Sequence, residues 1–193
     1  MSTLDPPVRP DEAGSQRRLE RRWLPVLGVI AVILAVTLGP RGVGEALSGP
    51  ATIEGLVTVH AEAGWSVVTR RDEGSVHQLL LRKGSDGFLV VALAGHGGTA
   101  ADLAREYVSG ALRGEYRALT PADPAPATLA SGVTGVRFGY VGVTNQGVTV
   151  EGVVVAVQTP GGNGIVFDGF APEGTLAASI DELGRMIDGA EVH

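Results

Sequence analysis

The stretch of this chain with the strongest chemical suggestion is Ala94-Gly95-His96-Gly97-Gly98-Thr99. It falls between an apolar run and a helix start, where free backbone N–H groups and the helix dipole favour an anion or small ligand. Gly95, His96, Gly97, Gly98 and Thr99 are therefore the candidate ligand-binding residues. A histidine beside glycines is also similar to the His-Gly-Gly oxyanion loops of esterases. Those enzymes need a G-x-S-x-G nucleophile elbow, and no serine here sits in one. The competing reading is a strand-to-helix turn that uses glycine for its dihedral angles. His60, His77 and His193 stand at no metal-ligand spacing and no H-E-x-x-H occurs, so neither a metal site nor a cofactor is expected. The chain has no cysteine. That excludes a thiolate nucleophile, a structural disulfide, a Cys-ligated metal and the acylated cysteine of a bacterial lipoprotein. No catalytic residue is assigned, and the expectation is a protein that is not an enzyme.

Other charged and aromatic positions read as architecture. Asp181, Glu182 and Arg185 fall one turn apart on a helical face and predict a solvated ion pair. Arg70-Arg71-Asp72-Glu73 predicts a charged hairpin tip. Gly161-Gly162-Asn163-Gly164 has hairpin spacing without the following helix that a phosphate loop needs. Trp65, alone at a strand start, is either a core residue or the anchor of a partner interface.

Charge divides the chain. Lys83 is the only lysine, and the Ala-, Gly- and Val-rich, arginine-dominated usage points to the high-GC genome of an actinobacterium. Residues 1–22 end in Arg17, Arg18, Arg21 and Arg22. From residue 45 onward seventeen acids face nine basic residues, a net of −8. Nucleic acid and anionic headgroups prefer the opposite sign, so neither is an expected partner of the larger part.

Between these parts, Trp23 to Gly39 carries no charge. A helix of ~17 residues reaches about 25 Å, enough for a short membrane span. Arginines before it and a lone Arg41 soon after it place the N-terminus in the cytoplasm and the rest outside. The expected organisation is a basic cytoplasmic tail (1–22), a signal anchor (23–39), a Gly/Pro-rich linker (40–52) and an extracytoplasmic domain (53–193). A cleaved signal peptide is the competing reading, with Ala46-Leu47-Ser48 as its best small-x-small site. Ala31, Ala35 and Gly39 form a small-residue stripe that would let two anchors pack as a homodimer.

The elements of the domain follow from periodicity and turn residues. Strands are predicted over 56–61, 65–71, 76–82 and 88–94, the last continuously apolar and hence central. A helix follows, capped by Thr99 with Asp102 three residues on. The three prolines of 120–126 predict an extended connection. Strands over 136–144, 148–158 and 165–170 come next, and Leu176, Ile180, Leu183 and Ile187 space an amphipathic last helix. Short turns make the sheet largely antiparallel, giving an α+β domain with helices packed on a sheet.

The Gly64-Trp65-Ser66-Val67 entry into the second strand, the central helix, and the closing helix after Phe170-Ala171-Pro172-Glu173 resemble the PsbP-like family and its Mog-type relatives. That family includes extrinsic photosystem subunits, a Ran-binding factor and actinobacterial envelope lipoproteins. The resemblance spans roughly residues 53–190 and implies a three-layer α/β/α sandwich that binds other proteins without shared catalytic machinery. A partner in the envelope or membrane is the corresponding expectation. The chain departs from the envelope lipoproteins in carrying an apolar anchor, and no family binding residue maps onto a position here.

Overall fold

The computed structural model describes Glu45–Ala46 and residues 49–193. The tail, the anchor and its Ala31, Ala35 and Gly39 stripe lie outside the described residues. Among those described, no helix is long and apolar enough to cross a membrane.

The central layer is a sheet of nine antiparallel strands. They are β1 (Glu45–Ala46), β4 (Ser66–Glu73), β5 (Val76–Lys83), β6 (Asp86–Leu93), β7 (Tyr116–Pro121), β8 (Ala125–Thr128), β9 (Thr134–Thr144), β10 (Thr149–Gln158) and β11 (Gly164–Pro172). Their order is β1-β4-β5-β6-β11-β10-β9-β7, with β8 also paired to β9. A second sheet of three short strands runs β12 (Glu191–Val192), β3 (Val57–Val59), β2 (Ala51–Ile53). The apolar run over 88–94 is central as expected: β6 lies between β5 and β11, and every residue from Phe88 to Leu93 is fully buried. Such a strand has no solvent face, so its side chains need not alternate.

Each sheet face supports one apolar cluster. On one face Leu80, Leu89, Val91, Val154 and Val166 meet helix α1 (Ala100–Glu106) through Leu103 and Ala104. On the other, Leu79, Leu81, Val90, Ile165 and Phe167 meet helix α2 (Leu176–Asp188) through Leu183, Met186 and Ile187. The small sheet joins this second cluster through Ala51, Ile53, Val57 and Val59. Complete burial of one large side chain, as for Phe88 or Phe167, contributes roughly 1.5–3 kcal/mol. The result is the three-layer α+β arrangement, with the small sheet sharing a layer with α2.

Several boundaries differ from the sequence reading. Helix α1 does not stop as one α-helix; it widens into a π-helical segment (Tyr107–Leu112) and closes with an α-turn (Arg113–Glu115). The 120–126 stretch is flanked by two strands that both pair with β9, because β7 and β8 use different lengths of the same partner. Glu45–Ala46, inside the stretch read as linker (40–52), form β1, and β2 begins in its last two residues, Ala51 and Thr52. The charges at Arg70 to Glu73 belong to the end of β4, and Gly74 supplies the turn. Glu182 and Arg185 do not pair with each other. Lys83 Nζ holds Glu182 at 2.7 Å and Arg185 Nε holds Glu62 at 2.8 Å, so both charges tie α2 to the sheet side instead of to its own next turn.

Candidate functional site

Residues 95–99 form the turn from β6 into α1. Gly95 and Gly97 have φ of 63° and 72°, a region where a Cβ is strained, so glycine is required at both. Thr99 is the N-cap: its hydroxyl accepts from Asp102 N–H at 3.1 Å, and the Asp102 carboxylate accepts from Thr99 N–H at 3.1 Å. The Thr99 hydroxyl also donates to that carboxylate at 2.7 Å, and these bonds hold the Asp102 carboxyl below its usual range. The Gly95 N–H donates to Asn163 Oδ1 at 3.1 Å.

His96 does not point outward. Its side chain is 1% exposed, lodged over Gly164, where any Cβ would come within 3.1 Å of the His96 Cβ. Nε2 lies 3.4 Å from Glu106 Oε2. Nδ1 is 3.2 Å from Gly98 N–H, which needs it as an acceptor, and 3.3 Å from Gln158 Oε1, which needs it as a donor. Turn and sheet therefore compete for the ring's tautomer. The donors that would greet an anion at Gly95, Gly98 and Thr99 thus already have partners within the protein.

Trp65 is 3% exposed and meets Phe88 edge-on, with centroids 6.3 Å apart and rings inclined at 72°. The indole belongs to the cluster under α2 and offers no exposed anchor, although its Nε1 has no hydrogen-bond partner among the described residues.

The most unusual chemistry escaped the sequence reading. Asp168, on β11, is fully buried on the α1 side of the sheet. Tyr107 Oη donates to its Oδ2 at 2.7 Å and Tyr140 Oη to its Oδ1 at 3.1 Å. Tyr116 Oη lies 3.4 Å from Tyr140 Oη. The π-helical segment begins at Tyr107, and Tyr116 opens β7 just past the α-turn that follows it, so the cluster ties the start of that segment and the strand after it to Asp168. Burial pushes the Asp168 carboxyl up to about 7, against the opposing pull of the two tyrosine hydroxyls. Burial likewise raises Glu115 to about 7, and raises the three phenols with help from the Asp168 charge. These side chains are shielded from solvent, so a substrate does not reach them. No sequence motif announces them, because the four residues come from four separate elements. A polar Asp168 inside the apolar run of β11 was the one available signal.

The described residues also form surface depressions. A cleft of about 460 Å³ lies between β2 and the β4–β5 hairpin, lined by Thr52, Ile53, Glu54, Arg70, Asp72 and His77. His77 Nδ1 is 2.7 Å from Asp72 Oδ1, and Arg70 Nη1 donates to Thr52 O at 2.6 Å. A groove of about 240 Å³ runs between β8 and α2 beside Leu129, Val155 and Gly184. Among the described residues no three His, Asp or Glu side chains gather as a metal site.

No protein-family model and no curated sequence matches the chain. Solved structures do. The cyanobacterial PsbP protein (CyanoP) of Synechocystis sp. PCC 6803 superposes with a TM-score of 0.57 at 16% identity, covering 81% of this chain and 99% of that one. The Ran-binding protein Mog1p of Saccharomyces cerevisiae gives 0.50 at 12% identity, over 77% of this chain and 96% of that one. A Bacteroides thetaiotaomicron protein gives 0.52 at 13% identity, over 76% of this chain and 49% of that one. The fold is thus the PsbP/Mog-like α+β sandwich.

Proposed function

We propose that this chain is a non-enzymatic, membrane-anchored envelope protein whose extracytoplasmic domain binds a protein partner. The observation that carries the reading is the sandwich shared along nearly the whole length of Mog1p, whose name records Ran binding. Two features agree with it. The Gly95–Thr99 turn spends its polar groups on its own architecture, and the most perturbed carboxyl, Asp168, is sealed inside the core. The apolar run at 23–39 supplies the anchor, with the arginine-rich tail in the cytoplasm.

The test is a quantitative pull-down from native membranes with the full chain and with residues 1–52 alone as baits. A protein enriched only when residues 53–193 are present is the expected result; equal recovery by both baits overturns the reading.

One observation favours a second reading, a small-ligand or anion-binding domain. The cleft beside Arg70 has the size of a small-molecule site. Native mass spectrometry of the purified chain should then reveal a bound molecule, and a spectrum of bare protein would remove this alternative.

A further inference from the structure

The groove between β8 and α2 is lined by two opposite charges that the fold leaves unpaired. Arg137, on β9, stands opposite Val155 of β10 and Ala125 of β8. Directly opposed residues share a sheet face, and Val155 belongs to the cluster under α2, so Arg137 projects toward the helix layer. It is exposed and, among the described residues, has neither a hydrogen bond nor an ion pair. Its guanidinium keeps five donors in a fork matched to a carboxylate.

Asp188 lines the helix wall of the same groove as the last residue of α2. A helix ends in unpaired carbonyl groups and a partial negative charge, so a carboxylate there is repelled and a cation is favoured. The basic residue of this last turn, Arg185, is committed to Glu62. Asp188 has no partner of its own among the described residues. An acid placed against the local rule, with nothing in the fold to offset it, is the kind of residue that marks a functional site. One turn back, Gly184 shares its face, and a Cβ there would meet nothing within 4 Å. The helix thus keeps the groove clear beside the charge. Buried Leu129, Val155 and Ile187 supply the apolar lining. The volume of about 240 Å³ equals about eight waters at ~30 Å³ each, room for a molecule of roughly eight or nine heavy atoms. β1 lies six strand spacings from β9, about 29 Å, so the groove is set apart from the β1–β4 end of the sheet.

We propose that this groove binds a small zwitterion with an apolar middle. Arg137 holds its terminal carboxylate, Asp188 and the last carbonyl groups of α2 hold its terminal ammonium, and a short methylene chain lies against Leu129, Val155 and Ile187. A ligand with one charge would satisfy one wall and desolvate the other without a partner, so both charges are required. The site goes beyond the protein-binding reading and shares no residue with the cleft beside Arg70. In an open groove such a ligand exchanges with solvent, and its binding is read by titration.

The experiment is calorimetric titration of the full chain in lipid nanodiscs with the unbranched ω-amino acids, from glycine to the homologue with seven methylenes. Caproate and hexylamine serve as the single-charge analogues. Affinity should peak at an intermediate length, near ε-aminocaproate, and fall at least tenfold for either analogue. Arg137→Gln should abolish the advantage of ε-aminocaproate over hexylamine, and Asp188→Asn its advantage over caproate. Gly184→Leu fills the groove and should abolish binding altogether. Both helix variants should fold, since Gly184→Leu gains helix propensity and Asp188→Asn relieves the helix end. Asp188→Asn should therefore melt no lower than wild type while binding ε-aminocaproate at least tenfold more weakly, a combination that a merely structural role does not produce. Arg70→Gln should leave the titration unchanged. No binding by any homologue, equal binding of caproate or hexylamine, or binding that survives Gly184→Leu overturns the proposal. Partner capture in the membrane pull-down is independent of these outcomes, so the protein-binding reading can stand while the zwitterion site falls, and the reverse.

Discussion

Asp168 faces three phenols, and the two that touch it, Tyr107 and Tyr140, donate hydrogen bonds without supplying charge. Ionised, it is a buried anion stabilised by dipoles alone; protonated, it is a neutral acid at little desolvation cost. Its folded pKa of about 7 stands above the ordinary carboxyl value of 3.8, so the folded state binds the proton more tightly than the unfolded chain. The sign follows by linkage: the stability this group contributes is complete below pH ~4 and is lost as pH rises through about 7. Glu115, raised in the same direction, acts in the same window. The urea midpoint of the protein should therefore fall between pH 5 and pH 8. Asp168→Asn should flatten that slope, removing about 2–3 kcal/mol of pH dependence across that interval. A mutant with the wild-type slope would show that Asp168 is not the titrating group. None of this was readable from sequence, where Asp168 is one polar letter in an apolar strand. By contrast, the Thr99–Asp102 capping box was legible, because its partners are three residues apart and the bond is local.

At the scale of elements, tyrosine rings occupy space that neighbouring strands leave vacant. A Cβ on Gly152 would stand 2.3 Å from the Tyr140 ring, and one on Gly142 would stand 2.6 Å from the Tyr116 ring. Both glycines lie in strands, where glycine ordinarily weakens the sheet; here each leaves the room a phenol needs to reach the Asp168 cluster. Gly152→Ala should destabilise the fold by about 1–3 kcal/mol through overpacking, more than the gain in strand propensity returns. A thermal melt of Gly152→Ala matching wild type would mean that the ring has another place to go. The same contrast explains what the sequence disclosed about elements. Long strands such as β6 and β10, and the amphipathic α2, declare themselves through composition and period within one segment. The two-residue β1 and β12, the three-residue β2 and the π-helical segment do not, because each exists through a partner distant in sequence. Asn163 shows this on a small scale. The Asn-Gly pair suggests a tight two-residue turn, but the positive φ falls on Gly162, and Asn163 instead reaches Gly95 N–H and His193 O.

At the scale of the whole chain, the order of parts constrains how the domain can sit. If residues 23–39 span the membrane, only 40–44 separate the span from β1, and five extended residues reach at most about 18 Å. β1 is pinned to β4 at Ser66 and Val67. The β1–β4 end of the sheet would then lie close to the membrane surface. The absence of cysteine makes the topology directly testable, since a single introduced thiol has no competitor. Ser85, exposed in the β5–β6 turn, and Ser15, in the tail, are the two positions to compare. With a membrane-impermeant maleimide applied to intact cells, Ser85→Cys should be labelled and Ser15→Cys should be labelled only after lysis. Labelling of both in intact cells, or of Ser15→Cys alone, would overturn the orientation. Recovery of labelled Ser85→Cys protein from the medium, shortened at its N-terminus, would show a cleaved signal peptide and a domain without a tether.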